Sequence, residues 1–347
     1  MAEFKYRLEE AKGPKYFLVR NASFKGKHRK VRKYLGTTED IWDDLNKHIV
    51  EYSYELEIKA AEKVADMAFA YYISDYMHES VIKEIEQLRF LHHSYTAALN
   101  KTEFDVYLEN AETMYIHGTT AIEGNTLTYK DTRKLLQEGI MPEKKELREI
   151  HEVENYRKVK AYREKHKGKV NLTFIRKLHS LVMDNIDYES AGIFRIADNV
   201  FIYGSDLILT PAELIEDELQ KLITGYYENI QNKKNPFERA ILFHYGFEKI
   251  HPFADGNGRT GREILNYLLE KEGYPRLIIP KESRKDYLSA LEYGDENKYA
   301  ETIKIIAELM LACYARELAN LKNVLTPDKG QTTLTNFQDD VETKDRD

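Results

Sequence analysis

Twelve consecutive residues, HPFADGNGRTGR from His251 to Arg262, bring together a histidine, an aspartate, an asparagine, three glycines and two arginines. Gly256 and Gly258 carry no side chain, so the backbone there can approach an anion closely. Arg259 and Arg262 lie three apart where a helix would begin. A helix N-terminus presents unpaired N–H groups and a partial positive charge, which disfavours cations unless an anion lies between them. Phosphate fits, because the guanidinium fork grips it at two points. Asp255 and Asn257 add oxygen ligands, and Mg2+ needs few of these when phosphates and water supply the rest. His251 has the ordinary pKa of a proton acceptor near neutrality. Base, metal ligand, anion cradle and charge clamps in this order describe phosphoryl or nucleotidyl transfer. A calcium loop would need other acidic spacing, a zinc site would need a third ligand, and a plain helix–helix turn would leave the arginines unexplained.

The loop must be held by what flanks it. Pro236 to Ile250, PFERAILFHYGFEKI, is an apolar helical stretch leading in, and Arg262 to Leu269, REILNYLL, leads out as a buried helix. Across all 347 residues, 42% are hydrophobic and 32% charged, the balance of a globular chain. Cys313 is the one cysteine, which removes disulfide frameworks and cysteine zinc sites and favours a reducing, cytoplasmic compartment. MAEFKYRLEEAKGPKYF at the start has charges throughout and predicts no signal peptide. No long apolar run suggests a membrane span. A net charge of -7 gives no global pull toward nucleic acid.

Tyr16 to Val19 and Val31 to Leu35 flank a polar stretch with Gly26 and predict a β-hairpin; its basic tract, residues 25–33, could touch nucleic acid or be a solvated tip. Thr38 is a candidate cap for a helix through Ile41, Leu45, Ile49, Tyr52 and Leu56. Apolar periodicity predicts further helices at Ser80–Leu99, Glu103–Ile122, Lys130–Glu138, 140–165, Asn171–Met183, 211–227, 236–250, 259–272, 283–293 and 295–322. Val200–Tyr203 and Leu207–Leu209 read as a second hairpin, and the polar residues 323–347 as a disordered tail. The chain is expected to be mainly α with two small hairpins.

The twelve-residue loop matches, at every fixed position, the signature His-x-Phe-x-(Asp/Glu)-Gly-Asn-Gly-Arg-x-x-Arg of the Fic family, which this chain resembles. Gly192 to Arg195, GIFR, with the hairpin at 200–209, resembles the family's flap, and NYLL with GYP at 266–275 resembles its post-motif helix. The resemblance implies a Fic-fold helical bundle over 101–322, preceded by an N-terminal region, 1–100. It implies a protein adenylyltransferase that moves AMP from ATP onto a hydroxyl of a protein, with Mg2+. His251 would take the hydroxyl proton, Phe253 would anchor the loop, and Asp255 would hold the metal. Gly256, Asn257 and Gly258 would cradle the α- and β-phosphates, Arg259 would bind phosphates and Arg262 would reach the γ-phosphate. Doc-type kinases carry lysine where Gly258 stands. His244, two turns before His251, reads as a packed core histidine. Tyr287, within SRKDY, resembles a tyrosine that walls the adenine pocket, and it also has core spacing.

Upstream, MYIHGTTAIEGNTLT places Glu123 at a helix end with Gly124 as its stop, against the negative end of the dipole. An exposed glutamate without a role would look the same. Thr119-x-x-x-Glu123-Gly124 resembles the family's inhibitory motif on a helix near 104–123, whose glutamate pairs with the second arginine of the loop, here Arg262. Breaking a buried pair of that kind from one side costs about 3–5 kcal/mol. In some relatives the same glutamate places a water that removes AMP. The alternatives are therefore a de-AMPylating hydrolase and a non-catalytic nucleotide-binding regulator. The hairpin at 200–209 would offer a strand edge to the target, although the family's paired prolines are reduced here to Pro211 followed by Ala212. Homodimers are common in the family.

Overall fold

Alternating apolar residues on two runs joined by Lys25-Gly26 make the first element. In the computed structural model, which describes residues 6–11, 15–37, 45–198 and 209–325, strands β1 (Tyr6–Ala11), β2 (Lys15–Phe24) and β3 (Lys27–Gly36) form an antiparallel sheet in that order. Lys25 and Gly26 both have positive φ, 44° and 80°, as a two-residue turn between right-twisted strands requires. The expected hairpin is thus longer and has a third strand; YRLEEA is too charged to read as one alone, and pairing with β2 supplies what propensity lacks. Leu18, Ala22, Phe24 and Val31 pack on Leu56, Ala60, Val64 and Ala68 of α1 (Leu45–Phe69). The basic tract is partly neutralised: Lys30 and Arg32 pair with Glu9, and Lys33 with Glu55.

Two compact units divide the described residues. One holds the sheet, α1, α2 (Glu79–Ala98), the start of α3 (Lys101–Ile122) and the end of α11 (Tyr299–Leu325). The other holds residues 73–77 and 109–310 and contains all the candidate site residues. Its helices begin and end where local chemistry directs. Thr128 and Asp131 form a capping box for α4 (Tyr129–Glu138), which stops at Gly139 with φ 69°. That stop and the loop behind it shorten the expected 140–165 helix to α5 (Leu147–Lys165). Asn171 caps α6 (Leu172–Val182) by accepting the Phe174 N–H. A short 3-10 turn at Ala212–Leu214 precedes α7 (Ile215–Gln231). Asn235 and Pro236 open α8 (Pro236–Ile250), and α9 (Asn257–Lys271) and α10 (Arg284–Asp295) follow. The candidate flap at 200–208, the Thr38 cap and residues 326–347 lie outside the described residues.

In this unit α8 and α9 pack together, with α6 against α9 and α10 against α8. A buried ion cluster holds α3 to α5 and α9. Glu112 accepts from Arg163 at 3.0 Å and Arg276 at 3.1 Å, and the fully buried Glu263 accepts from the same two arginines. Gly118 lets α3 lie directly on the chain at Ile279, where a Cβ would come within 2.3 Å of the Ile279 carbonyl oxygen. The last carbonyl of α3, at Ile122, accepts from Arg284 Nε at 2.8 Å.

Candidate functional site

His251 is the C-cap of α8, with φ 48° and ψ 62°. This left-handed turn is uncommon for a residue with a Cβ and must be held by its surroundings. Arg195 holds it: buried to 7% exposure, its guanidinium donates to the carbonyls of His251 (2.8 Å), Ile250 and Thr210. The His251 Nδ1 faces the Glu248 carbonyl at 3.3 Å, which assigns the proton to Nδ1 and leaves Nε2 as the basic nitrogen. Burial lowers the His251 pKa below 6.5, and nearby Arg195 lowers it further, so the ring is neutral at pH 7.

The loop is braced from within. Asn257 accepts the Phe253 N–H at 2.9 Å and donates to the Phe253 carbonyl at 2.8 Å. Its side chain thus closes the loop on Phe253, a structural role beside the one expected of it. Phe253 is fully buried and stacks on His179 at 3.6 Å. His179 accepts the Gly192 N–H at Nδ1 and donates from Nε2 to the Asp255 carbonyl, both at 2.8 Å. Burial pushes its pKa down to about 4, so it stays neutral in this bridging role. Gly256 has φ 76° and lies against Met183 and His179, where a Cβ would come within 2.7 Å of the Met183 sulfur.

The charges converge on the N-terminus of α9. Arg262 donates from Nε to the Thr119 hydroxyl at 2.8 Å, and from Nη2 to the Thr119 carbonyl at 2.9 Å and the Glu123 carboxylate at 2.7 Å. Glu123 follows the last residue of α3, and Gly124 turns the chain with φ 99°. A cation at the positive end of α9 and an anion at the negative end of α3 each sit unfavourably, and pairing offsets both. About a third of the Glu123 side chain, 35%, remains exposed. Burial still works to raise its pKa, but Arg262 and then Arg259 outweigh it and hold the carboxyl below its ordinary range. The Glu123 carboxylate lies over Gly258: a Cβ there would meet its Oε1 at 2.4 Å and Arg262 Nη1 at 2.9 Å.

Asp255 accepts from Arg148, Arg259 (3.2 Å) and the Gly256 N–H (2.6 Å). Burial opposes the charge on Asp255, yet Arg259 outweighs it and holds the carboxyl low. No cluster of three or more His, Cys, Asp or Glu suited to a metal occurs among the described residues. A single half-exposed carboxylate beside an anion cradle suits Mg2+, which keeps water and phosphate ligands, and does not suit zinc. Beneath Arg262 lie His244, pushed down to about 3 by burial and then by Arg262, and Glu248, pushed up to about 8 by burial. The His244 Nε2 bonds the Tyr287 hydroxyl at 2.8 Å. His244 is a core histidine, as expected. Tyr287 is 1% exposed with its ring 5.6 Å from the Arg262 guanidinium carbon, which makes it part of the core under the arginine.

Sequence reasoning assigned no role to Arg195, His179, Arg148, Glu152 or Asn125. Arg148 and Glu152, four apart on one helix face, offered the one local signal.

Residues 169–269 match the model of the Fic/DOC family. Over those residues the chain is similar to the Fic/DOC family. Over 275 residues it is 27% identical to the protein adenylyltransferase fic-1 of Caenorhabditis elegans, covering 76% of this chain and 52% of that protein. Over 233 residues it is 30% identical to the protein adenylyltransferase Fic of Drosophila ananassae, covering 66% and 45%. The chain thus spans about half the length of these curated relatives. The Fic fold is also that of solved structures: C. elegans Fic-1, residues 134–508, aligns with TM-score 0.61 at 23% identity, over 78% of this chain and 85% of that one. A Fic domain containing signalling protein from Bacteroides thetaiotaomicron aligns with TM-score 0.60 at 24% identity, over 72% and 99%.

Proposed function

We propose that the chain is a protein adenylyltransferase that moves AMP from ATP onto a hydroxyl of a protein and is held back by Glu123. In this reading residues 101–322 are the catalytic region and α3 its inhibitory helix. The observation that carries it is the Glu123 carboxylate lying over Gly258 and bonded to Arg262, on the surface where a triphosphate would seat. Neutral His251 takes the proton of the target hydroxyl at Nε2 as that oxygen bonds the α-phosphorus, and the bond to pyrophosphate breaks. Backbone N–H groups at the start of α9 receive the α- and β-phosphates with Arg259 helping to bind them, and Arg262 balances the charge leaving with pyrophosphate. Asp255 would hold Mg2+, which supplies charge neutralisation at the phosphates.

With Glu123 in place the γ-phosphate and the carboxylate compete for one guanidinium, and ATP cannot seat its tail. Because Glu123 is a third exposed, the pair is worth less than a fully buried one, about 1–3 kcal/mol, so the brake amounts to about one to two decades. The bond to Arg262 uses Oε1, and Oε2 could orient a water, so removal of AMP from a modified protein is a second reading for the same residues.

Calorimetry with Mg-ATP tests the division of roles. His251→Ala should bind as the parent does, because the base acts on the target and not on the nucleotide. Arg262→Ala should bind more weakly in a Glu123→Gly background. Loss of binding in His251→Ala, or full binding in the Arg262 variant, would contradict the assignment.

A further inference from the structure

Glu152, on α5, is 7% exposed and binds two things that the proposed reaction needs in register. Its Oε1 accepts from Arg259 Nη1 at 2.9 Å and from Arg148 Nε at 3.4 Å. Its Oε2 accepts from Asn125 Nδ2 at 2.9 Å. Asn125 stands two residues after Glu123 and is 5% exposed. It also donates to the Glu149 carbonyl at 3.0 Å, while its Oδ1 accepts the Leu127 N–H at 3.0 Å. Arg259, 2% exposed, turns its other terminal nitrogen to Asp255. One buried carboxylate therefore lies between the turn behind the inhibitory helix and the first arginine of the phosphate loop. A buried arginine that lost this partner would keep only the half-exposed Asp255 as its counter-charge, and nothing would fix the nitrogen that Glu152 now holds. An amide donor aimed at a buried carboxylate likewise fixes the turn that carries it.

We propose that Glu152 positions both sides of the phosphate site: Oε1 aims Arg259 at the loop, and Oε2, through Asn125, holds the turn that presents Glu123 to Arg262. The inference rests on the adenylyltransferase reading with Glu123 as its brake. It makes Asn125 and Glu152 a second latch, which loosens the brake when broken even though Glu123 is intact. It also gives Glu152 opposite effects in two backgrounds. Breaking its hold on the turn favours activity, and breaking its hold on Arg259 weakens use of the nucleotide.

Asn125→Asp separates these. The substitution keeps an oxygen for the Leu127 N–H and puts a carboxylate where Nδ2 donated to Glu152. With ATP labelled on the α-phosphate, self-labelling of Asn125→Asp should rise at least about fivefold over the parent, the low end of typical coupling between sites. In a Glu123→Gly background the same change should add nothing. Glu152→Gln in the Glu123→Gly background should raise the KM for ATP several-fold and leave kcat within about twofold, a split that general loss of structure would not give. Asn125→Asp as silent as the parent beside a labelling Glu123→Gly would overturn the latch, as would an equal fall in both backgrounds. If Glu123→Gly itself does not label, the adenylyltransferase reading fails, and calorimetry decides the latch by itself. Tighter ATP binding by Asn125→Asp than by the parent would support it, and unchanged affinity would overturn it.

Discussion

His251 combines an unusual backbone with the proton-accepting task proposed for it. The left-handed turn lifts the ring off the end of α8, Arg195 ties down three surrounding carbonyls, and the Glu248 carbonyl fixes the tautomer. Burial lowers the ring's pKa, so the neutral form is present at pH 7 and is lost as pH falls through a value below 6.5. In a Glu123→Gly background the transfer rate should therefore change little above pH 7 and decline as the pH is taken down below 6.5. A rate still climbing between pH 7 and 8 would mean that another group supplies the base. The loop itself was legible because its chemistry is contiguous: histidine, carboxylate, glycines and arginines lie within twelve residues. Its partners were not. Arg195 lies 56 residues from the carbonyl it holds, and Glu152 lies 107 residues from Arg259, so folding alone brings them together. Nor does anything local show that the Asn257 amide closes the loop on Phe253.

At the scale of elements, the proposed brake makes α3 the part whose placement would decide activity. Its position is set by Gly118 against Ile279, by Arg284 on its last carbonyl, and by Glu112 in the ion cluster. Gly118→Ala would drive a methyl into the Ile279 backbone, and overpacking of this kind costs about 1–3 kcal/mol. The variant should melt several degrees lower and should label itself more than the parent, since a shifted α3 carries Glu123 with it. A lower melting temperature with no rise in labelling would separate helix packing from the brake. Helix positions were well marked in the sequence by periodicity, and the structure adds caps at Asn171 and Asn235. Strand β1 was missed because its two glutamates mask the pattern until Glu9 meets Lys30 and Arg32 across the sheet.

For the molecule as a whole, the ion cluster of Glu112, Glu263, Arg163 and Arg276 couples stability to acidity. Burial alone would raise the Glu263 pKa, but Arg276 and then Arg163 bring it down to about 2 from 4.5. A carboxylate held low stabilises the fold fully above its unfolded value and loses that contribution as pH falls toward the folded one. Denaturant titrations should show the parent losing about 3 kcal/mol between pH 4.5 and pH 2 through this residue. Glu263→Gln should be less stable at pH 5 and flatter across that interval. Equal slopes would assign acid sensitivity to other groups. No helix among the described residues is long and apolar enough to cross a membrane.

The central claim is the proposal that this chain transfers AMP and that Glu123 restrains it. The most direct measurement incubates the protein with Mg2+ and ATP labelled on the α-phosphate, comparing the parent, Glu123→Gly and Glu123→Gly/His251→Ala. Label should appear in Glu123→Gly at about ten to a hundred times the parent level and vanish in the double variant. Equal labelling of parent and Glu123→Gly would contradict the brake, and no label in any of the three would contradict the transferase.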